Sequence, residues 1–274
     1  MTKLVLKAHI KGYMRKDGVY VKPHDDGKAP AKADKAKGKK VFYSKPKPAP
    51  VPYGVHHNES GKPRMVFHHP QLGETGHRVV VNNPSQPSSE PSWKAPDKVA
   101  VFVPKGIVPK EINGIAVAPW EDAPETDGGW AFVDGTLDIK EPPLKMKAGM
   151  RPAAGVIIEE PDGRVWVISP TNAFGGYKNT FPKGGAEKGL SLQQNAIKEA
   201  WEESGLKIEI TGILGDFERT TSIARMYTAR RVGGDPTTMG WETQAVQLVP
   251  KEKLLEAMNM PSDKEIVARY LAKK

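Results

Sequence analysis

The alternation of apolar and polar positions is most legible in the second half of the chain. Leu192, Ala196, Ile197 and Ala200 recur at the three- and four-residue spacing of one helix face. Ser191 and Gln194 make an S-x-x-Q capping box ahead of them, and Gly205 stands where a left-handed closing residue is wanted, so a helix is expected between. Residues 153–158 and 165–169 are apolar, β-branched runs separated by Glu159-Glu160-Pro161-Asp162-Gly163-Arg164. Their Pro-Asp-Gly turn predicts a hairpin-like pair. Residues 207–214, 224–232 and 243–249 read as further strands. A short helix through Leu254 and Leu255 follows Pro250, and a terminal helix is expected from Ser262, capped by an S-x-x-E box with Glu265.

The first half carries weaker patterns. In residues 51–148 Pro and Ser cluster over 84–96, residues 99–103 and 112–117 each suggest a strand, and no helical period persists. We expect an irregular, Pro-rich extension there. Trp120 and Trp130, in A-P-W-E-D-A-P-E-T-D-G-G-W, suggest that this segment lies against the following domain, either over a cleft or in a dimer interface. The sequence sets no oligomeric state. His56-His57 and His68-His69 lack a framing cysteine or helix and are read as loop histidines rather than metal ligands.

Charge separates the ends of the chain. Residues 1–50 hold 13 Lys and 1 Arg against 4 Asp, while the whole chain carries +9, so the remainder is close to neutral. Residues 28–47, lysines interleaved with Ala, Gly and Pro, read as disordered. Such a basic arm attracts nucleic acid without reading its sequence, or serves only as a solubilising tail. Residues 11–24 suggest a small hairpin around Asp17-Gly18 and resemble short basic segments of phage and prophage proteins. No apolar stretch approaches the roughly 20 residues a membrane helix requires. Lysines interrupt Leu4-Val5-Leu6, leaving no secretory core, and no cysteine is present, which suits a reducing cytoplasm.

The predicted helix also carries the candidate chemistry. Glu199, Glu202 and Glu203 lie at i, i+3 and i+4, on one face, where three like charges repel unless a cation holds them. Carboxylates are hard oxygen ligands suited to Mg²⁺ or Mn²⁺. The plainer alternative is a solvated acidic face. Just upstream, Phe181-Pro182-Lys183-Gly184-Gly185 supplies a loop whose backbone can approach a phosphate or an ion closely.

Loop and helix together resemble the signature box of the Nudix family, G-x5-E-x7-R-E-U-x-E-E-x-G-U, where U is a bulky aliphatic residue. Gly184 matches the opening glycine, Glu199 the glutamate after the arginine, Glu202 and Glu203 the paired glutamates, and Gly205-Leu206 the close. Leu190 replaces the first glutamate, Lys198 the arginine, and Ala200 is smaller than the usual aliphatic; Pro182 to Gly184 followed by Glu187 fits the P-K-G-x-x-E variant. Lysine keeps the charge of arginine without its planar fork, so it should orient a carboxylate less rigidly.

The resemblance implies an α+β fold: an α/β/α sandwich with a mixed sheet over residues 149–274, preceded by the extension 51–148 and the arm 1–50. It also implies hydrolysis of a diphosphate linked to another group, with Glu199, Glu202, Glu203 and the Gly184 carbonyl on the metal. Among these carboxylates, Glu202 or Glu203 is open to take a proton from water. Glu242, ahead of the last strand, is a candidate base or further ligand; all seven histidines precede residue 78. Arg151 is placed like the arginine of diphosphoinositol-polyphosphate and dinucleoside-polyphosphate hydrolases, and Lys183 in F-P-K-G is similar to the latter group. Arg219, Arg225, Arg230 and Arg231 offer further phosphate contacts or plain surface charge, and Tyr177 and Trp241 offer a face to a base or to the core. The expected substrate is a dinucleoside polyphosphate, then ADP-ribose, then an inositol pyrophosphate. Against the enzyme stands a Nudix-fold binding protein, its box altered at Leu190 and Lys198, that uses its basic arm on nucleic acid.

Overall fold

The computed structural model describes residues 63–273 together with five short strands before them, with side chains from Val66 onward except that of Asp127. The chain forms two units, Met1–Pro48 and Ala49–Lys274. In the first unit β1 (Ala8–Ile10) pairs with β4 (His24–Asp26), and β2 (Tyr13–Met14) with β3 (Tyr20–Val21). The β2–β3 register sets Tyr13 opposite Val21 and Met14 opposite Tyr20, while the expected turn at Asp17-Gly18 lies outside the described residues. The stretch 28–47 lies outside the described residues.

The second unit opens with a three-stranded antiparallel sheet of β5 (Tyr53–His57), β6 (Pro63–Leu72) and β7 (Arg78–Val81). His56-His57 and His68-His69 therefore sit on strands, correcting the loop assignment: β5 and β6 pair antiparallel with His56 opposite Arg64, and β6 pairs with β7 with His68 opposite Val80. After helix α1 (Glu90–Trp93), strand β8 (Ala100–Phe102) joins the main sheet. Residues 112–117 are split rather than one strand. Asn113 (φ 51°) and Gly114 (φ 77°) turn between β9 (Glu111–Ile112) and β10 (Ile115–Ala116), because two successive left-handed residues make a tight hairpin turn that Asn-Gly favours. Helix α2 (Asp127–Trp130) follows.

The main sheet runs β14–β15–β11–β12–β16–β8, built from β11 (Arg151–Glu159), β12 (Val165–Pro170), β14 (Leu206–Glu218), β15 (Ser222–Gly234) and β16 (Thr243–Val249), with β13 (Lys183–Gly185) paired to β11. β11 and β15 are parallel and their other neighbours antiparallel, so the sheet is mixed. Only the end of β11 pairs with β12; Ala153 to Gly155 pair with β13 instead. Helix α3 (Leu192–Ser204) covers one face, while α4 (Leu254–Ala257) and α5 (Pro261–Ala272) cover the other. Ala154, Val156 and Ile158 pack with Ala196, Ile197 and Ala200 of α3, whereas Ala153 and Ile157 pack with Leu254, Ile266 and Val267. With both faces covered, β11 reads as an unbroken apolar run.

Both ends of α3 follow the expectation. Ser191 Oγ accepts from the Gln194 N–H at 3.2 Å, the Gln194 side chain accepts from the Ser191 N–H at 2.7 Å, and Gly205 closes the helix at φ 69°. The terminal helix departs from it. Pro261 occupies its first turn, the N-cap is Met260, and no side-chain cap bond forms, because proline presets the helical φ one residue ahead of Ser262.

Buried arginines tie the preceding segment to this sheet. Arg231 pairs with Glu160 and donates to the carbonyls of Ile112 (2.9 Å) and Ala116 (3.2 Å), while Trp166 and Asn113 also donate to Glu160. Arg164 donates to the carbonyls of Ser92 (2.9 Å) and Trp93 (2.6 Å). Trp93, Phe102, Ile112, Trp130 and Val133 complete the core beneath α3. Among the described residues no helix is long and apolar enough to cross a membrane.

Candidate active site

Helix α3 presents Glu199, Glu202 and Glu203 to a cleft of 570 Å³, whose lining also includes Glu242, Trp120 and Trp241. The glycine loop, as strand β13, lies directly against them. The Lys183 N–H donates to Glu203 Oε2 at 2.7 Å, and a Cβ built on Gly184 would stand 2.0 Å from Glu199 Oε1. Gly184 is thus a hollow that the Glu199 carboxylate fills. Lys198 bridges two acids, its Nζ reaching Glu187 at 2.6 Å and Glu202 at 2.9 Å. A single ammonium does here what the sequence leaves open for the loop glutamate: it ties Glu187 to the helix. Leu190, at the position of the missing glutamate, packs partly buried against the core under α3.

Crowding sets the electrostatics. Burial, then the charges of Glu203 and Glu202, push the Glu199 carboxyl up to about 9. Burial also raises Glu203, to about 7, against the opposing Lys183 ammonium and its backbone hydrogen bond. Glu242, at the exposed rim, is raised by partial burial and by Glu74 and Glu202. Buried carboxylates whose charges repel one another suit a hard divalent cation in chemical kind. Among the described residues, however, no three acidic or imidazole side chains stand ready as a ligand set, and Lys198 holds two of the oxygens.

A second cleft, of 460 Å³, opens beside β13 and is lined by Arg151, Lys183, Gly184, Arg219 and Thr221, with no acidic side chain among its described lining residues. Lys183 donates to Thr180 Oγ1 at 2.6 Å, and its ammonium lies 4.9 Å from the Tyr177 ring centroid; burial lowers its pKa. Arg219 binds Asp263 at 2.8 Å and the Tyr177 hydroxyl at 2.7 Å. Tyr177, Lys183 and Arg219 are therefore brought together, and the Tyr177 ring faces two cations.

Arg225 is not part of either cleft. It is 2% exposed and spends its guanidinium on Asp216 (2.7 and 2.8 Å), Glu141 (3.0 Å) and the Pro142 carbonyl (2.7 Å). Arg231 is equally enclosed, and Arg230 pairs on the surface with Glu209. Gln71 and Glu74, which also line the acidic cleft, gave no signal in the sequence. Their position depends on how the β6–β7 hairpin lies.

Residues 149–270 match the NUDIX domain family. They are a NUDIX domain. The chain is 38% identical over 63 residues to an RNA pyrophosphohydrolase of Caulobacter vibrioides, covering 23% of this chain and 37% of that protein. It is 30% identical over 119 residues to an RNA pyrophosphohydrolase of Salmonella arizonae, covering 43% and 60% respectively. The chain thus spans less than two thirds of either relative. Among solved structures, a NUDIX hydrolase from Nitrosomonas europaea aligns over 46% of this chain and 90% of its own at 21% identity, with a TM-score of 0.40.

Proposed function

We propose that this protein hydrolyses a phosphoric anhydride in a nucleoside diphosphate linked to another group, with Mg²⁺ or Mn²⁺ held by Glu199, Glu202 and Glu203. The observation that carries this reading is the set of three α3 carboxylates in one cleft, with Glu199 and Glu203 directly against the glycine strand β13. A bound divalent cation supplies charge neutralisation of the diphosphate oxygens. Glu203, whose carboxylate accepts from the Lys183 N–H, is our candidate to take a proton from the attacking water, with Glu202 and Glu242 as the alternatives in the same cleft. Arg151, Lys183 and Arg219 offer the neighbouring cleft to anionic oxygens. Arg225 has no part in this proposal, because its donors are engaged.

A dinucleoside polyphosphate remains the first candidate substrate and ADP-ribose the next, with an inositol pyrophosphate after them. The relatives named RNA pyrophosphohydrolases add an RNA that carries a phosphoric anhydride to the candidates for this chain. A second reading, a binding protein with little turnover, is favoured by one feature: Lys198 neutralises Glu187 and Glu202 in place. That reading gives the basic first unit to nucleic acid. A panel of diadenosine polyphosphates, ADP-ribose, triphosphate-ended RNA and nucleoside triphosphates with Mg²⁺ or Mn²⁺, comparing the parent with Glu203→Gln, decides between them. Turnover lost in the variant supports hydrolysis. Absence of turnover throughout, with salt-sensitive RNA binding that disappears on deleting residues 1–50, supports the binding protein.

A further inference from the structure

The acidic cleft has walls that catalysis does not require. Trp120 comes from the segment before the NUDIX domain and Trp241 from the loop ahead of β16, and both line the same 570 Å³ space as the α3 carboxylates. Trp120 is locked rather than loose. Its ring meets Trp130 edge-on at 5.9 Å and 89°, and Trp130, 2% exposed, lies 5.5 Å from Trp201 on α3 itself. The Lys207 ammonium sits 4.7 Å from the Trp120 centroid, steadying the indole from a second element. Trp241 is met by His77 at 6.5 Å in an edge arrangement. Gln71, on β6, completes the polar part: its amide nitrogen donates to the Thr238 carbonyl at 3.0 Å, which orients the side chain and leaves its oxygen as an acceptor.

We infer that Trp120 and Trp241 form the base-binding wall of this cleft, so that the segment preceding the NUDIX domain selects substrates carrying a nucleobase. The inference takes its purpose from the proposed hydrolysis. Two rigid indoles offer flat π surfaces at little entropic cost, and stacking on them tolerates any base. The volume falls within the roughly 300–1,000 Å³ typical of small-ligand sites. Charge argues against a highly phosphorylated sugar in the same space. Among the described residues lining the cleft Lys198 is the sole cation, and it is already paired with Glu187 and Glu202. The phosphates therefore belong toward the basic cleft beside β13, and the base toward the tryptophans. The Gln71 oxygen adds an acceptor for an exocyclic amino group, favouring adenine, cytosine or guanine over uracil.

The test is equilibrium binding by calorimetry on the full chain, with α,β-methylene-ADP as the base-bearing probe and methylenediphosphonate as its base-free counterpart. Trp120→Ala should weaken α,β-methylene-ADP by about 5- to 150-fold, the range of one lost stacking contact, and leave methylenediphosphonate unchanged. Trp120→Phe should restore most of that loss, and Trp241→Ala should reproduce the selective loss through the second indole without touching the Trp130 contact. Equal weakening of both probes, no weakening of either, or a parent that does not prefer the base-bearing probe overturns the inference. A parent that hydrolyses nothing but shows Trp120-dependent binding of α,β-methylene-ADP keeps the base wall and removes the hydrolase.

Discussion

Gly184→Ala separates stability from function more cleanly than removal of any single carboxylate. An ideal Cβ at this position stands 2.0 Å from Glu199 Oε1, 2.3 Å from its Cδ and 2.5 Å from Oε2. Favourable carbon contacts begin near ~3.5 Å, so the carboxylate has to retreat by more than 1 Å in order of magnitude. Every clashing atom belongs to the far end of one flexible side chain, and Gly184 does not use the left-handed backbone region. The structural cost is therefore a changed Glu199 rotamer, on the order of 1 kcal/mol, or about 2–4 °C in Tm for a domain of this size. The functional cost is larger, because a displacement of that size at a reacting centre costs about 100-fold. Gly155→Ala is the counterpart. Its Cβ would meet Lys183 Cβ at 2.6 Å, the Pro182 carbonyl oxygen at 2.8 Å and Met226 sulfur at 2.9 Å, so backbone has to move, at about 1–3 kcal/mol or more. Calorimetric Tm and kcat/KM on both variants give the comparison. A Gly184→Ala protein as destabilised as Gly155→Ala, or as active as the parent, refutes the placement of Glu199 in the hollow.

Other outcomes follow from the same geometry. Glu199 and Glu203 have folded pKa values raised to about 9 and about 7 from 4.5, so their contribution to stability is full below pH 4.5 and is lost as pH climbs through those values. In chelator, Tm should fall between pH 5 and 9, and Mn²⁺ should raise it more at the upper end; a Tm flat across that interval, with or without the ion, contradicts the cluster. Glu160→Gln leaves the fully buried Arg231 without its ion partner and should cost about 3–5 kcal/mol in denaturant unfolding, loosening the β9–β10 hairpin that Arg231 holds. Arg225→Ala should likewise lower Tm while leaving KM unchanged; a raised KM at unchanged Tm would return it to the substrate.

What the sequence determined by itself was local. Helix α3 was legible because its period, its capping box and its closing glycine are all encoded within 15 residues, Ser191 to Gly205, and the same helical spacing puts Glu199, Glu202 and Glu203 on one face. Strand β16 was read to the residue, while the long strands β14 and β15 extended past their apolar centres, since partners rather than propensity set where pairing stops. The terminal helix shows the limit of local rules, with Pro261 overriding an S-x-x-E box one residue later. Only the tertiary structure decided which charges are free. Arg219 and Arg225 look alike in sequence and each pairs with a carboxylate, Asp263 for one and Asp216 with Glu141 for the other, yet Arg219 lines the basic cleft and Arg225 does not, because the distant carboxylate that folds against an arginine sets where its guanidinium lies. The same holds for the segment before residue 149. Its irregular sequence carries no period, and its place beneath and beside α3 comes from contacts separated by dozens of residues: Arg231 with Ile112, Arg164 with Trp93, Trp130 with Trp201.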